Sequence, residues 1–399
     1  MIKVSFLGDI MCEPLMLKAA KGKDGGYDFS DVFNQVRGFL AESDYVIGNL
    51  ETPLAGNDAR YVHELFSFNA PDEFAIAIKD AGVNFVSTSN NHCMDRGLKG
   101  LQRTVRTLDG IGLCHDGTHE NPGTHEPFIA TVKDSRIAVI PYTYGTNYSM
   151  HHHAVPDNGY IDLLHADTDP VYVLRKKSIY GRFKKFVLRP LKMEQIIAIK
   201  KTLGMKYNSP RKDDFLNVSD AAPFFEALKA KINRAKEQAD IVVFYPHIGG
   251  QFNKEPGRFT EYTFSKALQY GVDAIIASHP HIVQHAEKKG NVPVFYSIGN
   301  FSMSPNSVYL LHENLPEYGL IVHLYIEKSK IVQTTFSIIK IVEEQGKILT
   351  VYPVDKYESI ARSFNQIEKL NSDIEQIYFT VTGRKISGET VIRKEYELK

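Results

Sequence analysis

Val4-Ser5-Phe6-Leu7-Gly8-Asp9 carries the whole pattern of this chain in miniature. An apolar strand-like run, which begins at Ile2, stops at a glycine, and the next residue is a carboxylate. Four later stretches repeat the arrangement. Tyr45–Ile47 runs into Gly48-Asn49-Leu50-Glu51, and Val83–Val86 leads to Asn90-Asn91-His92-Cys93-Met94-Asp95. Ile241–Tyr245 leads to Pro246-His247, and Ala274–Ala277 to Ser278-His279-Pro280-His281. Open α/β sheets place their sites in loops beyond the carboxyl ends of strands. One such residue is background. Five coincidences of strand, strand end and Asp, Glu, Asn or His point to one assembled site.

Helical patterns fill the intervals between these strands. Phe29, Val32, Phe33, Val36 and Phe39/Leu40 recur at helical spacing, with Ser30 or Asp31 as cap. Pro71, followed by Asp72 and Glu73, reads as a helix start. Further helices are predicted over Gly97–Leu108, Asp220–Gln238, Tyr262–Tyr270 and Ser359–Leu370, and a strand over Arg136–Ile140. From Val294 the pattern turns to strands: Val294–Ser297, Leu320–Ile326, Ile331–Ile339 and Leu349–Tyr352. Alternating βα units followed by a strand-rich half predict a layered α/β or α+β domain with two packed sheets. Its expected span is residues 1–345, with an irregular insertion at about 145–215 and a carboxy-terminal extension at 346–399.

Composition narrows the class. A hydrophobic fraction of 43% with 23 Phe and 21 Tyr can fill a large core. No apolar stretch reaches the length needed to span a bilayer, and a strand starts at Ile2, where a leader would otherwise lie. Three cysteines (Cys12, Cys93 and Cys114) imply no disulfide framework. These features predict a cytoplasmic protein, or one lacking its leader here. The net charge of zero hides an asymmetry. Residues 175–201 hold ten Lys/Arg against one acid, Glu194, which leaves 37 basic and 46 acidic residues elsewhere. This basic segment, interleaved with Tyr180, Phe183, Phe186, Val187 and Leu188, fits a lid that steers an anionic substrate or an element lying on an anionic membrane surface. Nucleic acid is the weakest of the three readings, because no recognised motif accompanies the charge.

The strand ends supply a mixed donor set. Asp9 and Glu51 offer carboxylates, Asn91 an amide oxygen, and His247, His279 and His281 imidazoles. Without thiolates, this set suits one or two divalent ions, Mn²⁺, Fe²⁺, Zn²⁺ or Mg²⁺, rather than a structural zinc. Six donors exceed one tetrahedral shell and suit two ions about 3.5–4 Å apart sharing a carboxylate. His279 and His281 are expected on one side of an extended segment, with Pro280 biasing His279 toward that conformation. His92 is the candidate proton donor, with Asp95 to orient its ring. Asn49 and Asn300 are candidates to brace a ligand or face a substrate. Plainer alternatives stand beside these readings: a turn for Asp9 or Asn300, backbone-bonding loop residues for Glu51 and Asn91, a core histidine for His247. His151-His152-His153 is more simply an exposed polar loop than a metal tract.

Taken in order, these residues resemble the calcineurin-like metallophosphoesterase superfamily and, within it, the CapA family of poly-γ-glutamate capsule-biosynthesis proteins. The resemblance rests on Phe6-Leu7-Gly8-Asp9, Gly48-Asn49-Leu50-Glu51-Thr52-Pro53-Leu54, Ser89-Asn90-Asn91-His92 with Asp95 and Gly97, and Tyr144-Gly145-Thr146-Asn147. It continues through His247 with Gly249, Ser278-His279-Pro280-His281-Ile282-Val283-Gln284 and Phe295-Tyr296-Ser297-Ile298-Gly299-Asn300-Phe301. It implies a four-layer α/β/β/α sandwich with a dimetal site. By resemblance Glu51 bridges, Asp9 and His281 serve one ion, and Asn91, His247 and His279 serve the other. It also implies a metal-dependent hydrolase, of phosphoester or amide, working on an anionic capsule-type polymer or a phosphorylated substrate. The alternatives are a non-catalytic accessory to a membrane-bound polymer synthase and a generic phosphodiesterase. Departures are visible. Met11 occupies the position of a usual His, Glu51 that of a usual Asp, Ile248 that of a usual Trp, and Gln251-Phe252 stands where an acid and an aromatic are usual. The family usually has an amino-terminal membrane anchor as well, and none is expected from this sequence.

Overall fold

A computed structural model describes residues 1–62, 66–148, 153, 159–166, 193–203, 213, 218–344, 347–361, 363–388 and 390–399. In chain order the elements are β1 (Ile2–Ile10), α1 (Pro14–Ala20), α2 (Ser30–Phe33), α3 (Arg37–Leu40), β2 (Tyr45–Leu50), α4 (Asp72–Asp80), β3 (Phe85–Ser87) and α5 (Gly97–Ile111). Then come β4 (Cys114–Asp116), β5 (Phe128–Val132), β6 (Ser135–Thr143), α6 (Met193–Thr202), α7 (Val218–Gln238), β7 (Ile241–His247), α8 (Arg258–Tyr270) and β8 (Ala274–Ile276). The last are β9 (Ala286–Lys289), β10 (Val292–Phe295), β11 (Asn300–Ser302), β12 (Tyr318–Glu327), β13 (Lys330–Val342), β14 (Thr350–Pro353), α9 (Val354–Glu358), α10 (Phe364–Thr382) and β15 (Tyr396–Glu397).

The strands form two sheets. The first runs β14-β13-β12-β1-β2-β3-β4, with β11 beside β1 and β15 beside β13; the second runs β5-β6-β7-β8-β10-β9. β1 to β4 are mutually parallel, and so are β6, β7, β8 and β10. Three apolar layers set the stacking. Met16 of α1, Phe33 of α2 and Phe74 of α4 pack on Leu7, Val46 and Val86 of the first sheet. Val4, Phe6 and Phe85 meet Val139, Val243 and Ile276 between the sheets. Phe225 and Leu228 of α7, with Phe264 of α8, cover Val242, Phe244 and Ile275 on the far face. The order is therefore helix, sheet, sheet, helix, the four-layer α/β sandwich expected from the sequence. Deleting a ring such as Phe85 from the middle layer would cost about 3–5 kcal/mol.

Alternation along β1 is interrupted where the site begins. The register with β2 shifts between Phe6 and Asp9, an irregularity that re-aims a side chain. There β11 comes alongside, pairing Asp9 with Asn300, while Ile2 to Leu7 pair with β12. The approach is too close for side chains: a Cβ on Gly8 would lie 2.1 Å from the Gly299 carbonyl oxygen, and one on Gly319 1.9 Å from that of Asn300.

Some local expectations are corrected. The helix expected over 29–40 is two short helices, α2 and α3, because a turn at Val36 (N–H to Phe33 O, 3.1 Å) resets the axis. The helix expected at Ser359–Leu370 begins at Phe364 and runs to Thr382. Ser363 and Gln366 form a reciprocal capping box at its start, and Gly383 in the left-handed region ends it. His151, His152 and most of the basic segment lie outside the described residues; its end falls in α6.

Candidate metal centre

The five segments singled out in the sequence meet at one end of the sandwich. Asp9 is on β1, Glu51 follows β2, Asn91 and His92 follow β3, His247 ends β7, and His279 and His281 follow β8. All these strands point their carboxyl ends at the site, two sheets contributing to one cleft. Asp9, Glu51 and Asn91 are fully buried, and His92, His247, His279 and His281 are at most 2% exposed.

Donor atoms crowd around His247. Its Nε2 lies 2.8 Å from Asn91 Oδ1, 3.0 Å from His279 Nδ1 and 3.3 Å from Glu51 Oε1. Two imidazole nitrogens facing each other at that separation need a proton or a cation between them. On the other side, His281 Nδ1 lies 3.4 Å from Asp9 Oδ2, and His281 Nε2 lies 3.7 Å from Glu51 Oε1. Glu51 is common to two groups of converging carboxylates and imidazoles here, Glu51/His279/His281 and Asp9/Glu51/His247. Neither Glu51 oxygen has a hydrogen-bond partner. A buried carboxylate without a hydrogen-bond partner is costly unless a cation compensates it; a protonated His247 can do so, and the converging donor set equally fits a divalent ion that replaces that proton.

The surrounding residues hold the rings in place. Asn300 Oδ1 lies 2.9 Å from His281 Nδ1, and its amide nitrogen donates to the carbonyls of His281 and Pro316. Asn49 Nδ2 donates to Asp9 Oδ1 at 2.8 Å and lies 3.1 Å from His247 Nδ1. His92 Nδ1 is 2.8 Å from Asp95 Oδ2, while its Nε2 faces Glu51 at 3.9 Å. Charge follows geometry. Burial alone would raise the Asp9 carboxyl, yet hydrogen bonding and attraction from His247, with His281 adding to them, bring it down to about 2. Burial alone would depress His247, yet Glu51 and Asp9 outweigh it and hold the imidazole at about 9. His92 is likewise raised against burial, by Asp95 and then Glu51.

One expectation about local shape fails. The His-Pro-His run is not extended: His279 has φ 110° and His281 φ 57°. The loop turns because its backbone is captured from outside. His279 N–H donates to Asp9 Oδ2 at 3.1 Å, and the Pro280 carbonyl accepts from Phe252 N–H at 2.8 Å. Met11 is buried in the layer between the first sheet and its helices, with Cys12 and Met16, so it occupies core volume.

Several residues of the site were not anticipated as such. Phe68 packs edge-on against His92 with centroids 4.6 Å apart, and its N–H donates to Asp95 Oδ2 at 2.7 Å. Tyr144 lies against His279 at 4.6 Å and Phe252 near His281 at 6.0 Å. Glu13, fully buried, accepts from Ser307 Oγ, Tyr309 OH and Ser304 N–H, tying the end of β1 to the loop after β11. An acid four residues past Asp9 in an apolar run was the available signal for Glu13; nothing in the sequence marks Phe68.

Comparison with known proteins gives concordant results. Residues 3–304 match the family described as bacterial capsule synthesis protein PGA_cap. The capsule biosynthesis protein CapA of Bacillus anthracis is 25% identical over 307 residues, covering 75% of this chain and 59% of that protein. The PGA biosynthesis protein CapA of Bacillus subtilis (strain 168) is 24% identical over 301 residues, covering 75% of this chain and 63% of that one. The chain thus spans about three fifths of the length of these relatives. Among solved structures, a hypothetical protein from Thermus thermophilus aligns over 85% of this chain and 99% of its own (14% identity, TM-score 0.44). The 5'-nucleotidase of Candida albicans SC5314 aligns over 94% of this chain and 58% of its own (9% identity, TM-score 0.40). At those scores neither structure informs the reading of function.

Proposed function

The chain belongs to the bacterial capsule synthesis protein PGA_cap family, and from that premise we propose that it is a divalent-metal-dependent hydrolase acting on an anionic capsule-type polymer or its phosphorylated precursor. The observation that carries this is Glu51: a fully buried carboxylate with no hydrogen-bond donor, ringed by three imidazoles and Asp9. Asn91, His247 and His279 would hold one ion, Asp9 and His281 a second, with Glu51 shared. When bound, such ions polarise an attacked carbonyl or phosphoryl oxygen and lower the pKa of a water.

The chain's own residues would do the rest. Asp95 keeps the proton on His92 Nδ1 and fixes the ring, leaving Nε2 toward the cleft to give a proton to a leaving group. Phe68 packs against that ring and limits its rotation. Asn300, by accepting from His281 Nδ1, presents the Nε2 atom inward. Asn49 does the same for Asp9 by engaging one carboxylate oxygen. Phosphoester and γ-amide bonds both suit this arrangement.

Burial of Met11 in the core favours a second reading. With no imidazole from that position, the Asp9/His281 side has fewer donors, which fits a one-ion accessory protein that binds polymer or a membrane-bound synthase. The deciding experiment is metal content after reloading with Mn²⁺, Fe²⁺, Zn²⁺ or Mg²⁺, followed by assay on a chromogenic phosphodiester and a γ-glutamyl anilide. About two ions per chain, with turnover abolished in Glu51→Ala, supports the hydrolase. One ion without turnover supports the accessory role, and no ion in any condition refutes the metal reading.

A further inference from the structure

A second buried charge cluster lies behind the centre, and its parts touch loops from both sheets. Lys231 of α7, 2% exposed, donates to Asp116 Oδ2 at 2.9 Å and to Asp162 Oδ2 at 2.7 Å. His119 Nε2 stands farther off, 3.5 Å from Asp162 Oδ2. Asp116 ends β4 at the edge of the first sheet. Asp162 lies in a short ribbon that bridges Thr118 to Ile161 and Thr143 to Leu163, and so joins β4 to β6 of the second sheet. The carbonyl oxygen of Asp162 accepts from Ser89 Oγ at 2.9 Å and from Thr143 N–H at 2.9 Å, while its own N–H donates to Gly117 O at 2.9 Å.

Those two donors stand next to the centre. Ser89 directly precedes Asn90-Asn91-His92. Thr143 directly precedes Tyr144, whose ring lies on His279 and whose N–H donates to His247 O at 3.2 Å. Ile161 packs with Cys93 and Met94, the two residues after His92. One peptide group therefore links the loop that carries Asn91 and His92 to the loop beside His247 and His279. The side chain of Asp162 ties that peptide to α7.

We infer that Lys231 is a positioning residue: through Asp162 and Asp116 it fixes the spacing between the Asn91 loop of one sheet and the histidine loops of the other. This rests on the metal reading proposed above. Removing the ammonium leaves two buried carboxylates near each other without their cation, and the ribbon must shift or take up a proton. Partners behind metal ligands commonly govern affinity by about 10–100-fold.

The test compares wild type with Lys231→Met and with the milder Asp162→Asn, by Mn²⁺ titration calorimetry at 25 °C and amide hydrogen exchange at Thr143. The expected result is an Mn²⁺ dissociation constant raised by about 10-fold or more in Lys231→Met, with faster exchange at Thr143, and a smaller change of the same sign in Asp162→Asn. A lower melting temperature with an unchanged dissociation constant, and with exchange at Thr143 sped up no more than at other core amides, overturns the inference, since a merely structural role lowers protection of the core as a whole. If Lys231→Met does not fold, Asp162→Asn decides by the same two readings. If the wild type binds no Mn²⁺, the metal reading falls, and exchange at Thr143 relative to other core amides decides: no selective change overturns the link, a selective rise at Thr143 upholds it.

Discussion

Replacing Glu51 by glutamine isolates the role of the one charge that both halves of the centre share. The side chain keeps its shape, so the metal-free protein should fold, with His247 still paired to Asp9 (Nδ1 to Oδ1, 3.5 Å). What disappears is the shared anionic donor. At free metal one hundred times its dissociation constant, each bound ion stabilises the fold by about 2.7 kcal/mol. Unfolding entropy of about 2.1 cal/mol/K per residue across 399 residues gives a slope of roughly 0.8 kcal/mol per degree. Each ion should then raise the melting temperature by about 3 °C, and two by about 6 °C. The assay is differential scanning fluorimetry of chelator-treated protein with and without Mn²⁺. Wild type should show the full rise and Glu51→Gln about 1 °C or less. An equal rise in both proteins would refute the argument, because the ion would then be held without Glu51.

Three further predictions concern other residues. Metal affinity should fall about tenfold per pH unit below about pH 9, because the proton that Glu51 and Asp9 hold on His247 must leave; a flat titration between pH 6 and 8 would contradict this. His323 is buried between Ser5 and Ser337, and burial, aided by Lys3, depresses it to about 3. Its folded pKa lies below the unfolded value, so its stabilisation is complete above pH 6.5 and is lost as pH falls toward 3. Urea melts should show a loss of roughly 2 kcal/mol between pH 7 and 5, absent in His323→Asn. Met11→His should not add a ligand, because that side chain enters the core; it should lower stability by about 1–3 kcal/mol and leave the ion count by elemental analysis as in wild type.

Much of this was readable in the chain because strand ends advertise themselves. An apolar run is a local property, and so is the Asp, Glu, Asn or His that follows it; Asp9, Glu51, Asn91 and His247 stand out only as a set of strand ends, and the fold brings that set together. What failed depended on distant partners. His279 and His281 take positive φ because Asp9 and Phe252 capture the loop, residues far away in sequence. The break between α2 and α3 keeps both short helices on the layer beneath them, and no proline or glycine at the break marks it. The Lys231 cluster is less legible still: Lys231 and Asp116 are 115 positions apart, and a lysine on a helix reads as a solvated face until the fold puts it inside.

The pairing of Asp9 with Asn300 has a consequence in time. Asp9 is made long before its partners: the N–H of His279 that bonds it lies 270 positions later, and β11 follows after that. The parallel strands β1 to β4 can pair early, but the centre cannot close until the polypeptide has been made past residue 302. Until then an acid meant for the interior waits in water at the end of a nascent strand. Contacts of such sequence separation are slow to form, so the site closes only after the early strands have paired, and a chain shortened before β11 should lack the centre.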